Sequence, residues 1–524
     1  MSLAPLDYVV IAVYGLAMLG IGLYSVTIAR GRDDYLLAGR RLGFPLFFGC
    51  MAAMAVGGAV TVGGAKKGYE AGIAGLWIGG SLGLGLIMLG LLITSKLSRM
   101  RALSINEVIE RNYGVYARVL GALLTIIYTV ALTVVQVIAI GDILAGIFSW
   151  DLKVAMLVGG SVVVFYTFLG GMWAVTLTDI VQFVIKTLGI MILVPIFVLA
   201  SPKVGGLSGM MEKLPASHWD PFALGFDGTL YWVLLYVPGL VIGQDIWQRM
   251  FTARNEKIAR TGTIIAGVYS IAYGLAAVLL GMAVLAAGTQ LGKKQTGQAF
   301  SEGVMMFLPQ GLAGLLLAAA MAAAMSVASG TILACSTVVY NDIFLRFVRH
   351  ERDAAVAAAA DDREALSTSA IEREHEGDAG DIWINRGIAF VIGLVVIGLA
   401  MVIENIFGAL DLAYGFLSGC VFIPVIATFF LRKVSPKAGL ISLGLSFCGV
   451  AGSMIFGESG KAAMIFGAEE GVKWAIGGNY PIMVGMAIGL VVYTVFTVTD
   501  RNKITPNLRV DEIAKDNAPA KTEA

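Results

Sequence analysis

Oxygen-bearing side chains interrupt two apolar stretches of this sequence. In residues 170–182, GGMWAVTLTDIVQ, the aspartate Asp179 stands between two long apolar runs. In residues 318–344, AAAMAAAMSVASGTILACSTVVYNDIF, several hydroxyl side chains follow a run of alanines. An ionisable group at membrane depth is costly unless it is paired, hydrated or functional. Since hydroxyl and carbonyl oxygens can together hold a small cation, these residue types favour ion binding.

Each of these features also has a structural interpretation. Asp179 could cap the first turn of its helix, where a carboxylate accepts hydrogen bonds from free N–H groups and suits the helix dipole. It could equally relay an ion, and Thr178 would share either role. Serine and threonine in membrane helices often bond to their own backbone carbonyls. The residues alone leave both interpretations open.

Composition identifies the class of protein that must position these groups. The chain has 524 residues, of which 58% are hydrophobic and 14% are charged, and its mean hydropathy is +0.82. These values indicate a polytopic membrane protein. A net charge of +1 without a basic run argues against a nucleic-acid partner. The four cysteines stand alone in apolar stretches and are expected to be small buried side chains: Cys50, Cys335, Cys420 and Cys448.

The sequence gives little support for nucleotide-driven transport or for enzymatic catalysis. A G-x-x-x-x-G-K motif for nucleotide binding is absent from the sequence. The three histidines, His218, His350 and His375, fall in loops without catalytic partner spacing. Neither an ATP-driven pump nor an enzyme is therefore expected.

Runs of roughly 20 apolar residues, the length that crosses a bilayer, predict an all-α fold of about 13 transmembrane helices. Helices are expected because backbone polar groups in lipid must be satisfied internally. The predicted spans lie near 6–29, 44–65, 71–95, 117–147, 153–170, 177–200, 229–247, 262–288, 309–341, 385–404, 407–431, 437–457 and 480–498. The distribution of Lys and Arg between loops places the N-terminus outside and the C-terminus in the cytoplasm. The charged segment 349–381 is expected to be a cytoplasmic linker, and the tail from Thr505 a disordered one.

Two spans carry helix-breaking pairs. Gly57-Gly58 stands in the middle of the second span and Pro238-Gly239 in the seventh. Each pair alone is compatible with close helix packing through small residues. Such pairs at corresponding places in two halves of a chain indicate discontinuous helices that bind substrate and ions at the membrane midplane.

The sequence also resembles the sodium:solute symporter family, which includes proline, sialic acid, sugar, pantothenate and choline carriers. The resemblance runs from about residue 6 to residue 435. It rests on DDYLLAGRRLG, GGMWAVTLTDIVQ, GQDIWQR with ARNEKIAR, and AAAMSVASGTILACSTVVYNDIF. It implies a LeuT-like core of five plus five inverted helices. The implied units are 1–43, a first repeat 44–200, an outer loop 201–228, a second repeat 229–431 with the linker 349–383, two further helices 432–504, and a tail 505–524.

The family pattern implies the ligands of a sodium site. They are the backbone carbonyls of Ala53, Val56 and Ala323 and the hydroxyl of Ser326, and Asp179 is expected near them. The family usually has a second Ser or Thr directly after that serine, whereas this sequence has Val327. The coupling ion could therefore be sodium or a proton.

The solute is expected beside the helix breaks. Small residues there would leave room, and aromatic residues could form a cage for a quaternary ammonium, although aromatics in membrane helices are often packing or interface residues. The predicted solute-binding residues are Gly57, Gly58, Thr61, Trp77, Tyr236 and Tyr414. Asp142 and Asp411 could balance a cationic solute or carry a proton. Lys66 and Lys67 could attract an anion or extend to the surface.

The expected function is sodium-coupled symport of a small organic solute into the cell by alternating access, in the cell inner membrane and without an organic cofactor. The solute could be a carboxylate, an amino acid or a quaternary amine. A proton-coupled symporter of the same fold is one alternative, and a membrane sensory module is another. The sequence predicts no nucleic-acid partner and leaves the oligomeric state open.

Overall fold

The computed structural model describes residues 3–28, 32–100, 102–292, 296–348, 379–403, 406–467, 473–476 and 478–506. Most of the linker predicted at 349–381 and of the tail predicted at 505–524 lies outside these residues. Within them the chain is almost entirely helical. The α-helices are α1 (Pro5–Ser25), α2 (Arg32–Leu37), α3 (Phe44–Ala55), α4 (Gly58–Ala71), α5 (Trp77–Leu92), α6 (Thr94–Met100), α7 (Ile105–Tyr113), α8 (Val115–Phe148), α9 (Leu152–Lys186), α10 (Val194–Ala200), α11 (Gly206–Lys213), α12 (Gly225–Ile242), α13 (Gln244–Met250), α14 (Glu256–Ala286), α15 (Ala299–Phe307), α16 (Leu312–Val338), α17 (Ala379–Ile403), α18 (Ile406–Phe416), α19 (Phe422–Phe430), α20 (Pro436–Glu458), α21 (Lys461–Phe466) and α22 (Tyr480–Thr499).

Eleven helical runs among the described residues are long and apolar enough to cross a membrane. Two of them, Gly58–Leu92 and Leu152–Ala200, contain 35 and 49 residues, which is more than one crossing of roughly 20 residues. Each bends at a glycine with a left-handed φ, Gly72 at 64° and Gly171 at 57°. When these two runs are divided at their glycines, the structure contains a helix for every predicted span.

The second predicted span is broken where its glycines predict. Helix α3 ends at Ala55, Val56 and Gly57 are extended, and α4 begins at Gly58. A Cβ on Gly58 would lie well inside contact distance of the Ala139 side chain on α8. The glycines therefore permit both the change of backbone direction and the close approach of a neighbouring helix.

The seventh span breaks five residues later than its Pro-Gly pair predicts. Pro238 lies inside α12, and the chain becomes extended at Gly243 before α13 begins. Gly239 is a packing residue, because a Cβ there would overlap the Tyr414 ring. Proline removes one hydrogen bond and can be tolerated inside a membrane helix, so the Pro-Gly pair does not end the helix.

The bend in α9 bears on the interpretation of Asp179. Gly171 absorbs the turn, and the Tyr35 side chain occupies the space that a Cβ would need. The helix resumes directly after this glycine, so Asp179 lies eight residues into the second half of α9. It is therefore not a first-turn cap, and Thr178 bonds to carbonyls of its own helix at Ala174 and Val175.

Helix α16 runs through the centre of the bundle, and almost all of its residues from Ala313 to Val338 are buried. Its N-terminus is capped from another helix: Asp7 of α1 accepts hydrogen bonds from the N–H groups of Gly311 and Gly314, both at 2.7 Å. Three of the cysteines are buried as predicted, but Cys448 is exposed. It lies on α20, much of whose surface does not face the bundle.

Candidate ion and solute sites

The break between α3 and α4 brings the predicted cation ligands together. The last carbonyls of a helix have no partner within that helix. The carbonyl oxygen of Ala53, in the last turn of α3, and that of Val56, directly after the helix, are therefore available to bind other groups. The Ser326 hydroxyl of α16 lies 3.0 Å from the carbonyl oxygen of Ala53 and 3.1 Å from that of Ala323. Carbonyls from the broken helix and a hydroxyl from the central helix thus meet at one buried point.

A lysine that was not among the predicted site residues lies at this point. The Nζ of Lys186, at the end of α9, donates to the carbonyl oxygens of Ala53 at 2.6 Å and Val56 at 3.2 Å, and to the Ser326 hydroxyl at 3.1 Å. The side chain is fully buried. The ammonium group therefore uses three of the oxygens predicted to hold a sodium ion.

Asp179 lies close by and is paired with an arginine. Its Oδ2 accepts a hydrogen bond at 2.9 Å from Nη2 of Arg249 on α13, and both side chains are buried. The same Nη2 lies 3.5 Å from the carbonyl oxygen of Ser326, and Gly330 leaves room for the guanidinium, since a Cβ there would overlap it. Arg249 thus lies between Asp179 and the predicted cation site, and the hydrogen-bond partner of Asp179 in the described residues is this arginine and not a predicted ligand.

A narrow cavity of about 30 Å³ lies on the other side of the helix break. Of the predicted solute-binding residues, Gly57, Tyr236 and Tyr414 line it. Val327, which directly follows Ser326, also lines this cavity. The valine therefore contributes an apolar surface to this cavity.

The remaining predicted solute-binding residues have other contacts. The N–H of Gly58 donates to Gln136 Oε1 at 2.8 Å, so this glycine borders the cavity through a residue that lines it. The Thr61 hydroxyl bonds to the Gly57 carbonyl and to Tyr273. Trp77 lies near the surface, where its indole N–H donates to the carbonyl of Pro221.

Two polar residues of the cavity were missed by the sequence analysis. Gln136 of α8 faces the start of α4, and Asp245 of α13 lies directly after the second helix break. Asp245 is buried, and its Oδ1 accepts a hydrogen bond from the Tyr128 hydroxyl at 2.8 Å. The available signal was the position of Asp245 in GQDIWQR, two residues after the glycine that breaks the helix.

Aromatic rings lie at the same cavity as this carboxylate. The ring centroids of Tyr236 and Tyr414 are 5.1 Å apart, and those of Tyr128 and Tyr414 are 5.3 Å apart. Both pairs are edge-to-face, which presents ring faces and edges to one small volume. The cavity therefore combines one buried carboxylate with several tyrosines.

A larger cavity of about 990 Å³ lies farther along the bundle, lined in part by Lys66, Asp142 and Phe407. The ammonium groups of Lys66 and Lys67 lie 5.3 and 5.5 Å from the ring centroid of Phe407, and Lys67 pairs with Glu70 at 2.9 Å. Both lysines thus lie beside Phe407, which lines this cavity. Asp411 lies elsewhere and accepts a hydrogen bond from Tyr231.

Comparison with known proteins identifies the family to which the chain belongs. The sequence model described as the sodium:solute symporter family matches residues 35–361, more than half of the chain. The sodium/proline symporter of Escherichia coli strain K12 is 24% identical over 529 residues, which cover 95% of this chain and 94% of that protein. The sodium/proline symporter of Haemophilus influenzae is 27% identical over 65% of this chain and 70% of its own length.

Two further matches extend the comparison. The high-affinity choline transporter 1 of Caenorhabditis elegans is 29% identical over 48% of this chain and 43% of its own length. The solved structure of a Na⁺-coupled sialic acid symporter in a substrate-bound outward-open state matches with a TM-score of 0.74 and 17% identity, and covers 96% of this chain and 99% of that one. This structural likeness establishes that the two chains share a fold.

Proposed function

Because the chain belongs to the sodium:solute symporter family, we propose that it carries a small organic solute with a cationic nitrogen across the cell inner membrane and into the cell. Members of this family are sodium-coupled secondary transporters and not enzymes, and the long apolar helices make this chain a multi-pass membrane protein. The proposed topology has the N-terminus outside and the C-terminus in the cytoplasm.

The observation that carries the proposed solute class is the Asp245 carboxylate in the solute cavity. A buried carboxylate is costly unless hydrogen bonds and a positive group accompany it. Asp245 accepts hydrogen bonds from the Tyr128 hydroxyl and from backbone N–H groups, and the nearby Arg249 guanidinium pairs with Asp179. Tyr236 and Tyr414 supply ring faces that attract a cation. A solute ammonium or quaternary nitrogen would complete this arrangement.

A carboxylate on the same solute would find a second complementary group. Helix α4 begins at Gly58, beside the cavity, and the start of a helix carries a partial positive charge and N–H groups without partners in the helix. The N–H of Gly58 itself bonds to Gln136, so the N–H groups that follow it in the first turn would serve an anion. Among the residues that line the described cavity none is a lysine or arginine, so an anion would depend on these backbone groups. Amino acids and betaines carry both groups, and the names of the proline and choline carriers among the relatives are compatible with this class.

The cation would bind on the opposite face of the same break. Its proposed ligands are the carbonyl oxygens of Ala53, Val56 and Ala323 and the hydroxyl of Ser326, with Asp179 acting through Arg249. Ion and solute would thus bind to the two faces of one short extended segment, Val56 and Gly57. Binding of one would order the segment for the other, which is a coupling between two sites.

The experiment is a thermal-shift panel on the purified chain. Amino acids, betaines, choline, carboxylates without nitrogen, and sugars are each added with sodium or with potassium. A ligand of the folded state raises the thermal midpoint, by about 2.7 kcal/mol of stability at 100 times its dissociation constant. We expect sodium-enhanced shifts with solutes that bear a cationic nitrogen.

Two variants locate the site. Asp245→Asn removes the charge and should abolish those shifts, whereas Asp142→Asn, in the separate larger cavity, should retain them. Shifts produced by nitrogen-free carboxylates or sugars, and unaffected by Asp245→Asn, would overturn the proposed solute class.

A further inference from the structure

The start of α13 depends on contacts from the rest of the bundle for its position. The chain is extended at Gly243, so helical hydrogen bonding from α12 stops directly before the residues that deliver Asp245 to the solute cavity. Gln244 stands between Gly243 and Asp245. Its side chain is fully buried, yet it is not among the described residues that line this cavity. Its amide must therefore serve a contact within the protein.

The Gln244 side chain binds one short stretch of backbone at two points. Its Oε1 accepts a hydrogen bond from the N–H of Ile105 at 2.8 Å, and its Nε2 donates to the carbonyl oxygen of Leu103 at 3.1 Å. Hydrogen bonds tolerate only a few tenths of an ångström in length. A shift of α13 by one residue, about 1.5 Å along its axis, would break both bonds. The pair of bonds thus defines where α13 begins.

The same stretch of backbone is held on its other side by the chain that continues α16. The Ser104 hydroxyl and the Asn106 side-chain amide donate to the Asp342 carboxylate at 2.8 and 2.9 Å. Asp342 lies in the π-helical segment Val339–Val348 and pairs with Arg118 of α8 at 2.7 Å. Residues 103–106 are therefore fixed to α8 and to the end of α16, and they form the reference against which Gln244 places α13.

Asp245 moves with Gln244 because the two residues are adjacent. Their Cα atoms are about 3.8 Å apart across the peptide bond, so a displacement of one carries the other with it. The Asp245 carboxylate accepts from the Tyr128 hydroxyl of α8 at 2.8 Å. One residue is thus bound to backbone outside the cavity while the next presents a carboxylate inside it.

We propose that Gln244 is a positioning residue for the solute: by bridging the backbone of Leu103 and Ile105, its amide sets the place at which Asp245 meets the cationic nitrogen. Gln244 does not touch the solute and acts through Asp245. The part played by Asp245 rests on the proposed function, whereas the placing of α13 by Gln244 does not.

Two substitutions break the contact from its two ends. Gln244→Met keeps a side chain of similar length and loses both hydrogen bonds. Ile105→Pro removes the donating N–H and puts a ring carbon in its place. Ile105 is the first residue of α7 and follows an extended Ser104, a setting in which proline is well tolerated. Ile105→Val retains the N–H and is the reference for the proline variant.

Gln248→Met is the matched control for the loss of a buried glutamine on α13. Gln248 is as buried as Gln244, and its amide donates to the Leu36 carbonyl and to the Thr337 hydroxyl. It has no printed role at residues 103–106 in the arrangement above. Its loss should lower the thermal midpoint without releasing Gln244.

The first readout is hydrogen–deuterium exchange of the purified full-length chain, which requires no solute. The Ile105 amide and the amides that begin α13 should exchange about tenfold faster in Gln244→Met than in the wild type, because two buried hydrogen bonds are lost. The α13 amides should respond in the same direction in Ile105→Pro relative to Ile105→Val. In Gln248→Met the Ile105 amide should exchange as in the wild type.

The second readout is discrimination for the charged nitrogen. Thermal-shift titrations in sodium compare glycine betaine with 3,3-dimethylbutanoate, and choline with 3,3-dimethylbutanol, pairs in which carbon replaces the cationic nitrogen. The wild type should prefer the charged member, and this preference should fall about tenfold in Gln244→Met and Ile105→Pro, because Asp245 no longer meets the charge. A loss of stability alone would weaken both members equally, so Gln248→Met should keep the preference.

The outcomes decide the proposal. Unchanged exchange in Gln244→Met would overturn it, as would an equal loss of discrimination in Gln248→Met. If the wild type prefers neither charged compound, the proposed solute class fails, and the exchange data still decide whether Gln244 places α13. If neither Gln244→Met nor Ile105→Pro folds, the wild type decides: its Ile105 and α13 amides should share one opening as temperature rises, and separate openings would contradict the proposal.

Discussion

At the scale of single residues, the buried Asp179–Arg249 pair connects the proposed cation site with the second broken helix. Arg249 lies on α13, which follows that break, and its guanidinium reaches both Asp179 and the Ser326 carbonyl. A buried ion pair adds little net stability compared with apolar packing, but the loss of one partner leaves an uncompensated charge. The pair therefore constrains where α13 can lie relative to α9 and α16.

Asp179→Asn should destabilise the chain strongly, by about 3–5 kcal/mol, because Arg249 remains buried without its counter-charge. Asp227→Asn is the matched control. Asp227 pairs with Lys473 at 3.3 Å in a mostly exposed position, so its loss should cost about 0–1 kcal/mol. Thermal midpoints of both variants in one detergent give the comparison, and equal midpoints would show that the buried pair does not stabilise the fold.

The sequence predicted the candidate ligands that belong to family motifs but missed two buried charged residues. Family motifs named Ala53, Val56 and Ser326, and the structure brings them together. Lys186 and Asp245 were not assigned, because a single sequence shows that a charge lies within a span but not which helix break it faces.

At the scale of elements, the proposed ion and solute sites lie at the two short extended segments where helices stop and restart. Val56 and Gly57 separate α3 from α4, and Gly243 separates α12 from α13. The first break followed from its glycine pair. The second was predicted at Pro238, because proline is the stronger local signal, yet surrounding packing maintains the helix as far as Ile242.

A pair of glycine variants on α4 tests the first break. Gly58→Ala should lower the thermal midpoint and impair solute binding, since its Cβ would overlap Ala139 of α8. Gly63→Ala lies in the same helix, and its Cβ would meet its nearest atom, on Phe407, at an ordinary 3.5 Å. That control should be neutral or slightly stabilising, because alanine favours a helix by up to about 1 kcal/mol over glycine. If the Gly58→Ala chain is as stable and active as the Gly63→Ala chain, the close approach of α4 to α8 at Gly58 is not required for folding or solute binding.

At the scale of the whole molecule, the two ends of the bundle differ. Asp142, near one end of α8, lines the larger cavity. Arg118, near the other end, is fully buried and pairs with Glu110 and with Asp342, the latter at 2.7 Å. Asp142 and Arg118 are 24 positions apart on α8, which corresponds to about 36 Å of helix. One end of the bundle is thus open to a cavity while ion pairs hold the other together, as alternating access requires of one of its states.

Most of this architecture was accessible from the sequence. Apolar length predicted every membrane helix, because the bilayer sets a minimum length that composition reveals directly. The limits of the two inverted repeats remain a prediction. The connection inside α9 could not be predicted, since a single glycine, Gly171, joins its two helical halves where the predicted spans 153–170 and 177–200 leave a gap.

Solute uptake into proteoliposomes tests the central claim, that a cation gradient drives accumulation of the solute. The solute identified by the thermal-shift panel is supplied outside, with sodium either outside only or equal on both sides. We predict transient accumulation above the external concentration with the inward sodium gradient, and simple equilibration without it. Equilibration to the same level under both conditions would contradict the account.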